Sequence, residues 1–260
     1  MSFTESLETI TGCNVRFMRG GKGAPLLFLH GSGGAGRWLP FMEKLSESHE
    51  VIVPEHPGFG ASDSPEWLDG MSDLAFFYLD VLDHLGLDRV NLVGGSIGGW
   101  LAAEIAIRDC ARLASLTMAG PAGLRVKGLR KGDVFMWNAE ETARNLFHDQ
   151  AYAEQMLAAR PSAEELETVL RNRLTTAKLA WEPRFHNPDL HKWLHRIIVP
   201  TLILWGDRDK VVPAGYGVAY EDLIPDARLE IIRDCGHLPQ IEKVDRFVEL
   251  VGGFIREVTR

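Results

Sequence analysis

A serine, a histidine and a pair of aspartates, each placed just after an apolar run, supply the parts of a nucleophile site. Ser96 lies in Gly94-Gly95-Ser96-Ile97-Gly98-Gly99, directly after the β-prone run Val90 to Val93. A helix-like run begins at once with Ile97, Leu101, Ala102 and Ile105. The spacing Gly94-x-Ser96-x-Gly98 has a steric meaning. A strand that turns straight into a helix strains the residue at the turn. The residues two positions to either side then need almost no side chain, because strand and helix pass close together. The hydroxyl is pushed outward. The amides opening the helix, Ile97 first, face the same space and favour negative charge there.

A free serine hydroxyl is a weak nucleophile near neutral pH, so a base must stand beside it. His237, in Cys235-Gly236-His237-Leu238, follows a strand-like run and suits that role. It would take the proton of Ser96, deliver it to the leaving group and later activate water, while a carboxylate orients it and stabilises its cation. Asp207 and Asp209 both follow the run Thr201 to Trp205, and periodicity does not separate them. The glycine-rich stretch His30-Gly31-Ser32-Gly33-Gly34 follows the apolar run Leu26 to Leu29. Its backbone can aim amides at an anion, so an oxyanion hole would combine the Ile97 N–H with that of Ser32 or Gly33.

These segments need a frame of buried strands alternating with helices. The 260 residues are 45% hydrophobic, enough for one sizeable domain or a domain with an insertion. Residues 6 to 19 read as an edge hairpin with its turn at Gly12 and Asn14. The continuously apolar run Leu26–Leu29 and the predominantly apolar runs Val51–Val53, Val90–Val93, Leu113–Met118 and Thr201–Trp205 predict strands covered on both faces. Arg228–Ile232 is the last strand expected. Helices are expected over 38–46, after a Ser72 cap, after Ser96, and at the C-terminus around Phe247 and Phe254. The alternation implies an α/β fold with a mostly parallel sheet. From 122 to 196 no strand is expected. Asn138 with Glu141 and Ser162 with Glu165 form capping boxes there, so three or four helices are predicted. The organisation expected is a core of residues 1–121 and 197–260, with 122–196 as a helical cap. Trp137 and Trp181 are the cap side chains assigned to substrate binding.

Net charge is −8 with no basic stripe, which argues against nucleic acid as a partner. No stretch reaches transmembrane length, and the N-terminus lacks a basic start and an apolar run, so a cytoplasmic protein is the default. The three scattered cysteines, Cys13, Cys110 and Cys235, form neither a disulfide frame nor a metal site. No cofactor is expected.

Taken together, the segments His30-Gly31-Ser32-Gly33-Gly34, Pro57-Gly58-Phe59-Gly60-x-Ser62, Gly94-Gly95-Ser96-Ile97-Gly98-Gly99, Trp205-Gly206-x-x-Asp209-x-x-Val212-Pro213 and Gly236-His237 resemble the α/β-hydrolase superfamily. The chain order serine, aspartate, histidine also matches that family. The resemblance implies that Asp209, three residues after the strand-end glycine, is the acid. It also implies that Ser32, the residue after His-Gly, gives the first oxyanion amide, and that the cap follows the sixth strand. Two positions depart from the family. Glu55 stands where an aspartate is common. Leu238 stands where carbon–carbon bond hydrolases of ring-cleavage products commonly have tryptophan.

The function expected first is a serine hydrolase that cleaves a carboxylic ester of a small to medium apolar acyl group through an acyl-enzyme. Hydrolysis of a carbon–carbon bond in a ring-cleavage acid is the second reading. It needs a fixed cation for the substrate carboxylate, with Arg125, Arg130, Arg184 and Arg196 as candidates. A ligand receptor on the same fold is the third.

Overall fold

The computed structural model describes residues 3–258. Eight strands form one sheet: β1 (Phe3–Ile10), β2 (Cys13–Gly20), β3 (Ala24–Leu29), β4 (His49–Pro54), β5 (Val90–Gly95), β6 (Leu113–Ala119), β7 (Thr201–Gly206) and β8 (Ala227–Ile232). Their order is β1-β2-β4-β3-β5-β6-β7-β8. The first two strands run antiparallel as a hairpin, and β3 to β8 are parallel. The hairpin turn sits at Thr11 and Gly12, with φ of 45° and 82°. Two successive positive φ values match the twist of the flanking strands. Asn14, expected in that turn, instead pairs with Thr9 inside the ladder.

Side chains alternate between two buried layers, as the period of a strand requires. Leu27 and Leu29 of β3 face α2 (Met71–His84) and α3 (Ile97–Arg108), in a core that includes Tyr78, Val81, Trp100 and Leu101. Leu26 and Phe28 face α1 (Pro40–Leu45) and α9 (Val244–Val258), against Phe41, Phe247 and Phe254. Each such side chain, fully buried, stabilises the fold by roughly 1.5–3 kcal/mol. This two-sided burial explains why the central parallel strands are predominantly apolar in sequence. α7 (Gly215–Leu223) and the short α8 (Pro239–Glu242) complete the layers.

Two helix starts differ from expectation. Trp38 lies outside α1 and stacks on Phe3 with ring centroids 5.1 Å apart. Gly70, not Ser72, is the N-cap of α2. The Asp73 carboxylate accepts the N–H groups of Asp69 and Gly70 at 2.9 Å, so capping comes from within the first turn. Ser72 Oγ is left to accept from Arg108.

Between β6 and β7 the chain leaves the sheet. It forms α4 (Ala139–Leu146), α5 (Gln150–Ala158) and α6 (Ala163–Ala180). Asn138 and Ser162 cap α4 and α6, each bonded reciprocally to the glutamate three residues on. A single bridge between Gly123 and His186 closes the base of this excursion. Among the described residues no helix is long and apolar enough to cross a membrane.

Candidate active site

The order β4-β3-β5 places a reversal of winding at β3, and loops at the C-terminal ends of such strands open into a common crevice. Four of those loops carry the residues singled out in the sequence. His30 to Gly34 follow β3, Ser96 follows β5, Asp209 follows β7, and His237 follows β8.

Ser96 has φ 56° and ψ −117°, a strained conformation for a residue with a side chain. It is held by its own backbone. Its N–H donates to Ala119 O at 2.9 Å, and its carbonyl accepts from Trp100 at 3.1 Å and Ala122 at 3.2 Å. The glycines flanking it are sterically required. A Cβ at Gly94 would collide with the Gly98 carbonyl, and one at Gly98 would collide with the Leu29 carbonyl.

Ser96 Oγ lies 2.9 Å from His237 Nε2, and His237 Nδ1 lies 2.7 Å from Asp209 Oδ2. The geometry fits a histidine protonated on Nδ1 that donates to Asp209 and accepts from the serine hydroxyl. The other oxygen, Asp209 Oδ1, accepts the N–H groups of Val211 and Val212 at 2.8 Å each. Both side chains are almost wholly buried. Asp207 does not reach His237. It accepts from Cys235 N–H at 3.3 Å and lies 3.5 Å from Arg208. The histidine loop is also tied down: His237 N–H donates to Leu146 O, and Glu242 accepts from Gly236, His148 and Asp149 N–H.

Ile97 opens α3, so its N–H has no acceptor within its own helix. Ser32 lines the same cleft as Ser96 and His237. Beneath the His30–Gly34 loop, His30 and His56 stack with centroids 3.7 Å apart. His30 Nδ1–H donates to Gly31 O, and Nε2 accepts from His56 N–H. His56 Nε2–H donates to His30 O, and Nδ1 accepts from Tyr78 OH. Burial holds both rings below their usual titration range, His30 at about 4. Each neutral ring uses one nitrogen as donor and one as acceptor, so a second proton would break a bond that the loop depends on.

The cleft is partly open to solvent, and its wall is mostly apolar, including Val134, Leu146, Phe185 and Val211. Neither Trp137 nor Trp181 lines it. Trp137 packs over Gly132 behind the wall. Trp181 is half exposed and holds the Arg184 guanidinium over its ring at 4.0 Å. These two tryptophans thus pack within the excursion, whereas Phe185 of the same segment forms part of the wall. The four arginine candidates also lie outside the lining. Arg184 pairs with Asp133, and Arg196 donates to Ile107 O.

Three groups at the site carry no mark in the sequence pattern. Lys131 lines the cleft, in a stretch with no periodicity to flag it. Asn172 of α6 donates to Gly33 O and accepts from Gly60 N–H. Glu242 joins the histidine loop to the start of α5. A polar residue on the buried face of α6 is the one signal that could have pointed to Asn172.

Comparison with known proteins agrees with this architecture. The chain is 32% identical to a 2-hydroxy-6-oxo-6-phenylhexa-2,4-dienoate hydrolase of Comamonas testosteroni, over 94% of this chain and 91% of that one. In structure it is similar to a meta-cleavage product hydrolase of Pseudomonas fluorescens, with TM-score 0.78, 25% identity, and 98% and 97% of the two chains covered. It is also similar to a thermophilic esterase of Thermogutta terrifontis, with TM-score 0.75, 25% identity, and 99% of each chain covered. A family model described as the alpha/beta hydrolase fold matches residues 24–244. Fold, sheet order and family match lead to one conclusion: the chain belongs to the α/β-hydrolase family and is a hydrolase.

Proposed function

We propose that this hydrolase cleaves a carbon–carbon bond next to a ketone in a small ring-cleavage-type acid, using Ser96 as nucleophile, His237 as base and Asp209 as its orienting acid. The observation that carries the mechanism is the continuous hydrogen-bonded chain from Ser96 Oγ through His237 to Asp209, at the wall of one cleft. The choice of bond is supported by the relatives, whose names describe hydrolases of such dienoates.

Ser96 Oγ adds to the ketone carbon as its proton passes to His237 Nε2. The N–H groups of Ser32 and Ile97 hold the resulting oxyanion; one such donor is typically worth about 3–4 kcal/mol in the transition state. Collapse breaks the carbon–carbon bond. The departing carbon keeps the electron pair, delocalised into the adjoining unsaturated acid, and takes the proton from His237. Water, deprotonated by His237, then attacks the acyl-enzyme, and Ser96 regains a proton as the carboxylic acid leaves. One water is consumed and two products form. The helical segment 122–196 acts as a cap that walls the cleft through Lys131, Val134, Leu146 and Phe185.

Ester cleavage is the second reading, and it shares every step except the leaving atom. Leu238 favours it. This side chain packs with Phe147 and Ile241 where ring-cleavage hydrolases commonly carry tryptophan.

The test is turnover of 2-hydroxy-6-oxo-6-phenylhexa-2,4-dienoate against p-nitrophenyl acetate, butyrate and octanoate, by wild type and Ser96→Ala. The expected result is serine-dependent turnover with kcat/KM at least about tenfold higher on the dienoate, a difference of about 1.4 kcal/mol in transition-state stabilisation. A preference for an ester would establish the second reading. Turnover retained by Ser96→Ala would sink both.

A further inference from the structure

We propose that Lys131 is the anchor for a substrate carboxylate, which makes the cleft selective for monoanionic acids over neutral molecules of the same shape. The proposal rests on the same cleft as the hydrolytic reading above but not on the role of Ser96.

Lys131 lines the cleft together with Ser32, Ser96 and His237. Its ammonium is held from two sides. Nζ donates to Leu124 O at 3.1 Å, in the stretch after β6, and to Phe185 O at 2.7 Å, beyond the end of α6. An ammonium has three donors, so one remains after these two bonds. The carbonyls fix its position without cancelling its charge. Asp133, the nearest carboxylate in sequence, is engaged by Arg184 at 3.3 Å. The ring of Tyr216 lies 5.7 Å from Nζ and adds no formal charge. Among the described residues Lys131 makes no ion pair, although it is partly withdrawn from water.

A half-buried cation with no counterion is costly in an apolar wall. Burial, with the Arg125 charge adding to it, lowers the Lys131 pKa to about 8. A ligand carboxylate entering the cleft would supply the missing charge, and the surrounding low dielectric would strengthen the pairing. The otherwise apolar lining suits the rest of an unsaturated or aryl keto acid. None of the arginines named from sequence lines the cleft.

The competing explanation is that Lys131 only clasps Leu124 to Phe185. Binding of 4-phenylbutanoate and of its uncharged amide, by calorimetry at pH 7, separates the two. The wild type is expected to bind the carboxylate at least about tenfold tighter than the amide. Lys131→Gln keeps a donor for the clasp and is expected to bind the two within about twofold of each other, while Lys131→Arg retains the preference. A wild type that binds neither compound, or binds both equally, overturns the proposal. So does a carboxylate preference that survives in Lys131→Gln. Loss of fold in Lys131→Gln leaves the wild-type ratio and the Lys131→Arg ratio to decide. Failure of Ser96→Ala to abolish turnover would overturn the hydrolytic mechanism and leave these binding ratios untouched.

Discussion

Asn172 and Gly33 are joined by a hydrogen bond from Nδ2 to the glycine carbonyl at 3.0 Å, which ties α6 to the loop proposed to bind the oxyanion. The same side chain accepts from Gly60 N–H at 2.9 Å. Gly34 completes the fit: at φ 83°, a Cβ there would press on the Asn172 amide. Neighbours on α6 reinforce the latch, with Arg171 donating to Ser62 O at 2.6 Å and Thr175 to Gly58 O at 2.7 Å.

Removing the Asn172 amide should therefore affect both stability and chemistry. Asn172→Ala leaves a buried donor and acceptor unpaired, which costs about 1–3 kcal/mol. Asn172→Asp keeps the acceptor for Gly60 but sets a carboxylate against the Gly33 carbonyl. Thermal midpoints and kcat on an activated ester read the two effects. Both variants should melt lower, and kcat should fall by about tenfold, a part of one oxyanion donor's worth. An unchanged kcat would separate the α6 contact from the chemistry.

The two aspartates after β7 should differ sharply. Asp209→Asn leaves an amide where His237 needs an acceptor, so the imidazole is held in the wrong tautomer. In a serine protease triad the same change costs about 10⁴ in kcat. Asp207→Asn keeps an acceptor for Cys235 N–H and should stay within about tenfold of wild type. Single-turnover rates on a p-nitrophenyl ester would show it, and the reverse ranking would move the acid to Asp207.

Stability should fall in mild acid because of the stacked pair under the loop. Burial lowers His30 from its ordinary 6.5 to about 4, and His56 shifts the same way for the same reason. The unfolded chain titrates both near 6.5, so below that pH it binds more protons than the native state. Unfolding free energy is then full above pH 6.5 and declines down to about pH 4. For His30 alone the loss amounts to about 3 kcal/mol. Urea melts at pH 7 and pH 5 measure it. His30→Gln should flatten the slope, and an equal slope in that variant would assign the acid loss to other groups.

Carboxylate binding should weaken above about pH 8, where free Lys131 loses its proton. The groups facing it are Arg125 from the same loop, Tyr216 from α7 and His237 across the cleft. None supplies a negative charge near neutral pH to replace the one a ligand brings. Titrating 4-phenylbutanoate affinity from pH 6 to 9.5 should show a fall of about tenfold per pH unit at the alkaline end, with the amide flat. Parallel curves for acid and amide would contradict it.

Much of the frame and part of the hydrogen-bonded trio are legible in the chain itself. Strands buried on both faces leave predominantly apolar runs, and the helices that follow leave a different period, so the order and type of elements are evident. Ser96 and His237 stand out because each follows a strand, and parallel strands deliver their ends to one edge; Asp207 and Asp209 follow the same strand, and only the family resemblance favours Asp209. The two capping boxes mark the starts of α4 and α6 through purely local chemistry. Local pattern fails at Ser72, where the carboxylate of Asp73 reaches back to the cap amides more effectively than the serine.

The order of amino acids alone dictates which groups could react and in what succession the elements carrying them come, because those features depend on neighbours in the chain. Which charges and rings face the cleft is settled only by packing in three dimensions. Lys131 is placed by carbonyls on either side of the helical excursion, one of them 54 residues away. Trp181 and Arg184 turn to each other instead of into the cleft. Such choices follow from how helices pack against one another, and no spacing along the chain encodes that packing in readable form.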